Sequence, residues 1–146
     1  MSISQDFLKF KNSQTFIMPD DIVLGVFQPV LEDIRKCGHT EYVLTGGRGS
    51  TKSSFAAEGC FEKFMNNPKM HWLVCRQVQD TLKDSVYAQI AWVIDKLGLN
   101  DEFEFKKSPL EIIRKSTRQI IYFRGADDPM KIKSIKPPFG YIGILW

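Results

Sequence analysis

Tyr42-Val43-Leu44-Thr45-Gly46-Gly47-Arg48-Gly49-Ser50-Thr51-Lys52-Ser53-Ser54 decides how the rest of the chain is read. An apolar run enters a glycine-rich loop, and the loop leaves through Lys-Ser into a segment with helical spacing. Glycines let a backbone turn its N–H groups inward, with positive φ where needed and no side chain in the way. A helix N-terminus beyond the loop adds unpaired N–H donors and the positive end of its dipole. A lysine brings a mobile charge to the outer phosphates, and the hydroxyl after it holds a metal ion. The stretch therefore reads as a phosphate-binding loop made of Gly46, Gly47, Arg48, Gly49, Ser50, Thr51, Lys52, Ser53 and Ser54. Lys52 and Arg48 are the candidate catalytic charges, and Ser53 is the candidate metal ligand. The strict pattern G-x-x-x-x-G-K-[ST] has glycine where Thr51 stands. A β-branched residue disfavours left-handed φ, so either the loop adopts a different local conformation or binding weakens. The plainer alternative is a glycine-rich turn with an exposed lysine.

Outward from the loop, the spacing predicts a helix over Phe27–Ile34, a strand over Glu41–Leu44 and a helix from about Ser53 to Asn66. His71–Arg76 reads as a buried parallel strand. A long helix then starts at a capping-box-like Thr81/Asp84 pair and ends at Gly98. Leu110–Arg114 and Gln119–Arg124 flank a polar turn and read as a β-hairpin. Asp127-Asp128-Pro129 reads as the start of a short helix, and Tyr141–Trp146 as another buried strand. This order predicts an α/β fold. It is expected to be P-loop NTPase-like: a mostly parallel sheet flanked by helices, with a β-hairpin insertion, in a single incomplete domain over 1–146. The glycine-rich loop is expected at the carboxyl end of its strand, where ligands bind in such sheets.

Composition narrows the function classes. The 146 residues are 43% hydrophobic and 25% charged, which fits one globular domain. A net charge of +3 permits contact with phosphates but does not itself argue for a nucleic-acid surface. No apolar run approaches the roughly 20 residues of a membrane span. The N-terminus, Met1-Ser2-Ile3-Ser4-Gln5-Asp6, lacks the basic start and apolar stretch of a secretory leader. Cys37, Cys60 and Cys75 form no C-x-x-C pair, suit a reducing cytoplasm and read as small buried residues. His39 and His71 have no ligand-spaced partners and read as structural.

Gly46–Ser54 resembles the variant Walker A loop of phage terminase large subunits, the PBSX-like branch in particular. Val74-Cys75-Arg76-Gln77-Val78-Gln79-Asp80-Thr81-Leu82-Lys83-Asp84-Ser85-Val86 is similar to the strand and helix that follow that loop in the family. Phe123-Arg124-Gly125-Ala126-Asp127-Asp128-Pro129-Met130-Lys131-Ile132-Lys133-Ser134 resembles the family segment F-x-G-x-D-D-P-x-K-x-K-S. Phe139–Trp146 is similar to the strand leading into Walker B. The resemblance implies an ATPase motor that drives viral DNA into a preformed capsid, followed in the family by a nuclease domain. By that resemblance the cofactors are ATP and Mg²⁺. Lys52 and Ser53 are the phosphate and Mg²⁺ contacts, and Arg48 is the loop arginine linked to ATP use. The implied partners are double-stranded viral DNA, a portal protein and a small terminase subunit, in the cytoplasm of a bacterial host. Phe27 and Gln28 are candidates for holding adenine, against the reading of a helix start with one core aromatic.

Walker B needs carboxylates after its apolar strand, to organise Mg²⁺ and activate water. None follows Tyr141–Trp146 in this sequence. Asp127 and Asp128 read as helix caps rather than metal ligands. The chain is thus expected to be an N-terminal piece of a longer protein, whose exposed sheet edge invites self-association. The alternative is a non-catalytic anion- or partner-binding fragment with a vestigial loop. Arg76 and Arg124 end strands and read as solvated in preference to facing nucleotide or a neighbouring subunit. Lys131, Lys133 and Lys136 read as a solvated face in preference to a DNA contact. ATP turnover by this chain alone is expected to be negligible. Phosphate release in a malachite-green assay that Lys52→Ala abolishes would overturn that expectation.

Overall fold

The structure, a computed structural model, describes residues 15–19 and 21–145. The reading of the first residues, of Asp20 and of Trp146 lies outside the described residues. The chain forms two compact units, Met1–Asn66 and Asn67–Trp146, and each is taken by itself.

In the first unit, helix α1 spans Gln28–Arg35 and helix α2 spans Lys52–Asn66. Pro29 lies in the first turn of α1, where its missing N–H costs nothing. Leu31 is fully buried, and α2 buries Phe55, Ala57, Phe61, Phe64 and Met65. Glu62 is buried among these apolar residues at 3% exposure. Its carboxylate takes Arg35 Nε at 2.6 Å and Nη2 at 2.9 Å, and accepts the Met18 backbone N–H at 2.7 Å. Glu62 holds the Arg35 guanidinium in its charged form, well above the usual arginine range. Asn66 continues this seam. Its amide accepts from Phe16 N at 2.6 Å and donates to Phe16 O at 2.7 Å, doing for the extended 15–19 segment what a neighbouring strand would do.

The second unit is built on a five-stranded sheet: β1 Met70–Arg76, β2 Phe103–Lys107, β3 Leu110–Arg114, β4 Ile120–Gly125 and β5 Tyr141–Leu145. The strand order is β2-β3-β4-β1-β5. β1 runs parallel to β4 and β5, while β2–β3 and β3–β4 are antiparallel. The sheet is therefore mixed, not mostly parallel. The β3–β4 hairpin does not sit apart as an insertion: β4 pairs with β1 inside the sheet, and β2 beyond β3 forms the far edge. Side chains alternate across β1. Trp72 and Val74 lie on the face of Ile121 and Phe123, and all four are fully buried. Tyr87 packs edge-on against Phe123 at 5.1 Å on that side. On the other face Leu73, Cys75 and Tyr122 pack with Ile120, Ile132, Ile135 and Ile142.

The stretch expected as one long helix is three pieces: a 3₁₀ turn at Gln79–Thr81, a π-helical turn at Lys83–Tyr87, and helix α3 at Ala88–Lys96. The capping box is not made, because the Thr81 hydroxyl donates to Val78 O at 2.8 Å. Gly98 does close the helix, with φ +68°. Helix α4, Pro129–Lys133, starts as expected, with Asp128 accepting from Lys131 N. His71 is fully buried, accepts the Ile120 N–H on Nδ1 at 3.0 Å, and lies 4.5 Å from the Phe139 ring. Burial keeps it neutral by lowering its pKa, so its structural reading holds. Cys75 is buried, Cys60 is half-buried and Cys37 is exposed, which corrects the reading of all three as buried.

Glu62→Gln keeps the shape but removes the buried one of the two carboxylates that Arg35 faces, the other being the exposed Glu32. It should cost about 2 kcal/mol, less than a fully buried pair because Arg35 is 26% exposed. A urea melt with an unchanged midpoint would show that the pair contributes nothing.

Candidate functional site

The glycine-rich loop belongs to the first unit, directly ahead of α2. Lys52, the first residue of α2, folds back over the loop. Its Nζ donates to Gly46 O at 2.8 Å, Gly47 O at 2.9 Å and Ser50 Oγ at 2.6 Å. Three oxygens thus hold the ammonium in the concavity the loop encloses. Gly46 has φ +152°, and a Cβ there would meet Lys52 Cδ and Ser50 Oγ at 3.4 Å and Nζ at 3.5 Å. A Cβ at 46 would thus touch the cradle at ordinary contact distance, and it is the positive φ that favours glycine there, while Gly47 and Gly49 have open space where a Cβ would lie. Among the described residues, no backbone N–H from 46 to 51 has a protein partner. These donors, at the N-terminus of α2, suit a polyanion. The donor set fits a phosphate chain. Ser53 and Ser54 lie in the first turn of α2, and the exposed Ser53 hydroxyl is chemically suited to a hard cation. Arg48 is exposed at the loop tip.

Thr51 takes φ +58°, the left-handed conformation that its branched Cβ disfavours. The loop keeps the backbone form that a glycine there would adopt and accepts the strain. Thr51 Oγ1 donates to Ser50 O at 2.7 Å, and Thr51 O accepts the Phe55 N–H at 3.0 Å, so the residue is tied at both ends.

The expected strand Glu41–Leu44 does not form. Residues 41–47 carry no strand pairing among the described residues, and Val43 is 85% exposed. The loop is thus not placed at a strand end here. What precedes it is tied instead to α1: the Asp33 carboxylate accepts from Tyr42 OH at 2.7 Å and meets His39 Nδ1 at 2.7 Å. Those two bonds, His39 first, lower the Asp33 pKa. Phe27 lies face to face with Phe55 of α2, with ring centres 4.5 Å apart, so that face of the ring is occupied by core packing. Gln28 begins α1.

In the second unit, Arg76 is exposed at the end of β1, as read. Arg124 is not solvated: it pairs with Glu111 at 2.7 Å and lies over the Tyr122 ring. Lys131, Lys133 and Lys136 are exposed, and Lys131 approaches Asp128 at 3.3 Å. Asp127 is occupied structurally, because its carboxylate accepts the Gln79 N–H at 3.2 Å. Gln79 Oε1 in turn accepts the Gly125 N–H at 3.1 Å. A Cβ at Gly125 would fall 2.0 Å from Asp127 Oδ1 and 2.6 Å from Gln79 N. The glycine and acid of the F-x-G-x-D-D-P segment thus lock the chain after β1 to the chain after β4. Among the described residues, no cluster of His, Cys, Asp and Glu suits a metal.

Sequence reasoning passed over Glu58, Glu62, Gln79 and the Asp33–His39–Tyr42 cluster. Glu58 is buried on α2, and burial pushes its pKa up to about 6. A carboxylate amid apolar helical spacing was a readable signal for Glu58 and Glu62. Nothing local marks Asp33.

A family-wide profile described as phage terminase large subunit matches residues 38–146. The chain is 37% identical over 120 residues to the "Terminase, large subunit" of Bacillus phage SPP1, covering 82% of this chain and 28% of that protein. It is 36% identical over 126 residues to the "PBSX phage terminase large subunit" of Bacillus subtilis (strain 168), covering 86% of this chain and 28% of the relative. The chain therefore spans little more than a quarter of the length of these relatives.

Thr51→Gly removes the left-handed strain, at some cost in unfolded-chain entropy, and should net about 1 kcal/mol of stability. The melting temperature should rise by about 3 °C. A fall would show that the Thr51 hydroxyl contributes more than its backbone strain costs.

Proposed function

Since the chain belongs to the phage terminase large-subunit family, we propose that it is the ATP-binding part of a viral DNA-packaging motor. In the parent protein, ATP hydrolysis would be coupled to translocation of double-stranded DNA into the capsid. Portal protein and a small terminase subunit would be partners in the bacterial host. The observation that carries the reading is the Lys52 ammonium seated on Gly46 O, Gly47 O and Ser50 Oγ at the head of α2. The same stretch, Gly46–Ser54, lies within the family match.

In this reading Gly46, Gly47, Gly49, Ser50 and Thr51 wrap the phosphates with backbone N–H groups. Lys52 moves from its carbonyl partners to the outer phosphates, and Ser53 and Ser54 close the site at the helix N-terminus. Ser53 would hold Mg²⁺, which would neutralise phosphate charge when bound. Arg48 reaches the outer phosphate from the exposed tip. Among the described residues, no helix is long and apolar enough to cross a membrane.

Calorimetry with ATP·Mg²⁺ should show saturable binding that Lys52→Ala weakens at least tenfold, the loss of one charge-assisted contact worth about 1.5 to 3 kcal/mol. Wild type and Lys52→Ala binding alike, or neither binding, would favour a vestigial loop.

A further inference from the structure

We propose that Asp33 and Tyr42, with His39, form a latch that positions the phosphate loop by tying its upstream arm to the end of α1. The inference rests on the nucleotide-binding reading of the loop. Its starting point is that residues 41–45, upstream of the Lys52 cradle, are held by side chains: among the described residues they make no backbone–backbone hydrogen bond.

The bonds converge on one carboxylate. Asp33 Oδ2 accepts from Tyr42 OH and faces His39 Nδ1, each at 2.7 Å. Tyr42 OH also accepts the His39 backbone N–H at 3.1 Å, and the two rings meet edge-on at 5.9 Å. Gly38 passes so close that a Cβ there would lie 2.2 Å from Asp33 Oδ1. The Asp33 carbonyl accepts the Gly38 N–H at 3.0 Å, closing the end of α1 with Cys37 at φ +53°. One residue thus terminates the helix with its backbone and holds the returning chain with its side chain.

The consequence is a closed circuit. Arg35 and Glu62 fasten α1 to α2. Asp33 fastens Tyr42 to α1. Lys52 begins α2. Both arms of the loop are therefore referenced to the same helix pair. Gly46 lies four residues beyond Tyr42, so it is confined to within roughly 14 Å of that anchor. His39 is 71% exposed, so the ion-pair component is screened and the geometry of the hydrogen bonds carries the effect.

Tyr42→Phe keeps the ring and removes the hydroxyl. It should weaken ATP·Mg²⁺ binding about fivefold through lost preorganisation, with the melting temperature little changed. In the ¹⁵N-labelled chain without nucleotide, the amide resonances of Gly46, Gly47 and Gly49 should shift or broaden. Asp33→Ala should match it, and the double variant should be no weaker than either single one. Asp33→Asn, which keeps an acceptor for Tyr42, should restore most of the affinity. Wild-type affinity and unchanged glycine resonances in Tyr42→Phe, with binding still dependent on Lys52, would overturn the latch alone. If the wild-type chain binds no ATP·Mg²⁺, the nucleotide reading fails. The glycine resonances then decide the latch: a response to Tyr42→Phe supports it as a loop-positioning device, and no response overturns it.

Discussion

Glu62 carries a negative charge at a position almost closed to water, and its oxygens are taken by the Arg35 guanidinium and the backbone of Met18. Burying a carboxylate without partners is costly, so the surrounding chain is constrained to supply them. That constraint sets the placement of α1 on α2 and draws the 15–19 segment along the same helix. The glycine-rich loop depends on this arrangement without touching it. Its downstream arm is α2 itself, and its upstream arm returns to α1 through Asp33. Apolar contacts such as Phe27 on Phe55 and Phe16 against Phe61 supply bulk stabilisation, while Glu62 supplies direction.

The second unit is organised by alternation. β1 lies in the interior of the sheet, and its residues 70–75 are all buried, which is why this run looked continuously apolar. The outer half reads differently because it is antiparallel and partly wet, so charged residues such as Glu104 and Lys106 alternate with Phe103 and Phe105. Where the parallel strands β1 and β4 end, Gln79, Gly125 and Asp127 form a side-chain lock across the two departing chains.

How much was legible follows from how local the deciding physics is. Helices α1 and α2, strands β1 and β3 to β5, the Gly98 cap and the Asp128 cap all declare themselves over a few residues, and each appears within a residue or two of its expected bounds; β5, however, was expected to be buried and instead leaves Tyr141 and Ile144 exposed at the sheet edge. The segment Glu41–Leu44 has strand-like composition, but a strand exists only with a neighbour, and no described neighbour pairs with it. Helical spacing from Leu82 to Leu97 was real, yet periodicity does not report a π-helical turn, which keeps most of the same face inward. The mixed sheet was missed because strand direction depends on which strands become neighbours. In the loop, Thr51 was singled out as a residue that disfavours left-handed φ, and its φ of +58° shows that the loop keeps that conformation instead of adopting another. The Asp33 cluster was not readable, since it depends on the chain reversing at Gly38.

Lys52 has one more consequence. With its ammonium seated on loop oxygens, Lys52 is solvated by the loop's own dipoles. The lysine's field is partly cancelled at short range by those carbonyl and hydroxyl dipoles, leaving Arg48 at the tip as the loop's outward-facing charge. An approaching anion would first meet that arginine and only later draw the lysine off its seat. Capture then divides into a fast, salt-sensitive encounter and a slower local exchange of hydrogen bonds. In such a sequence the tip residue governs how often anions arrive, and the seated one governs how long they stay.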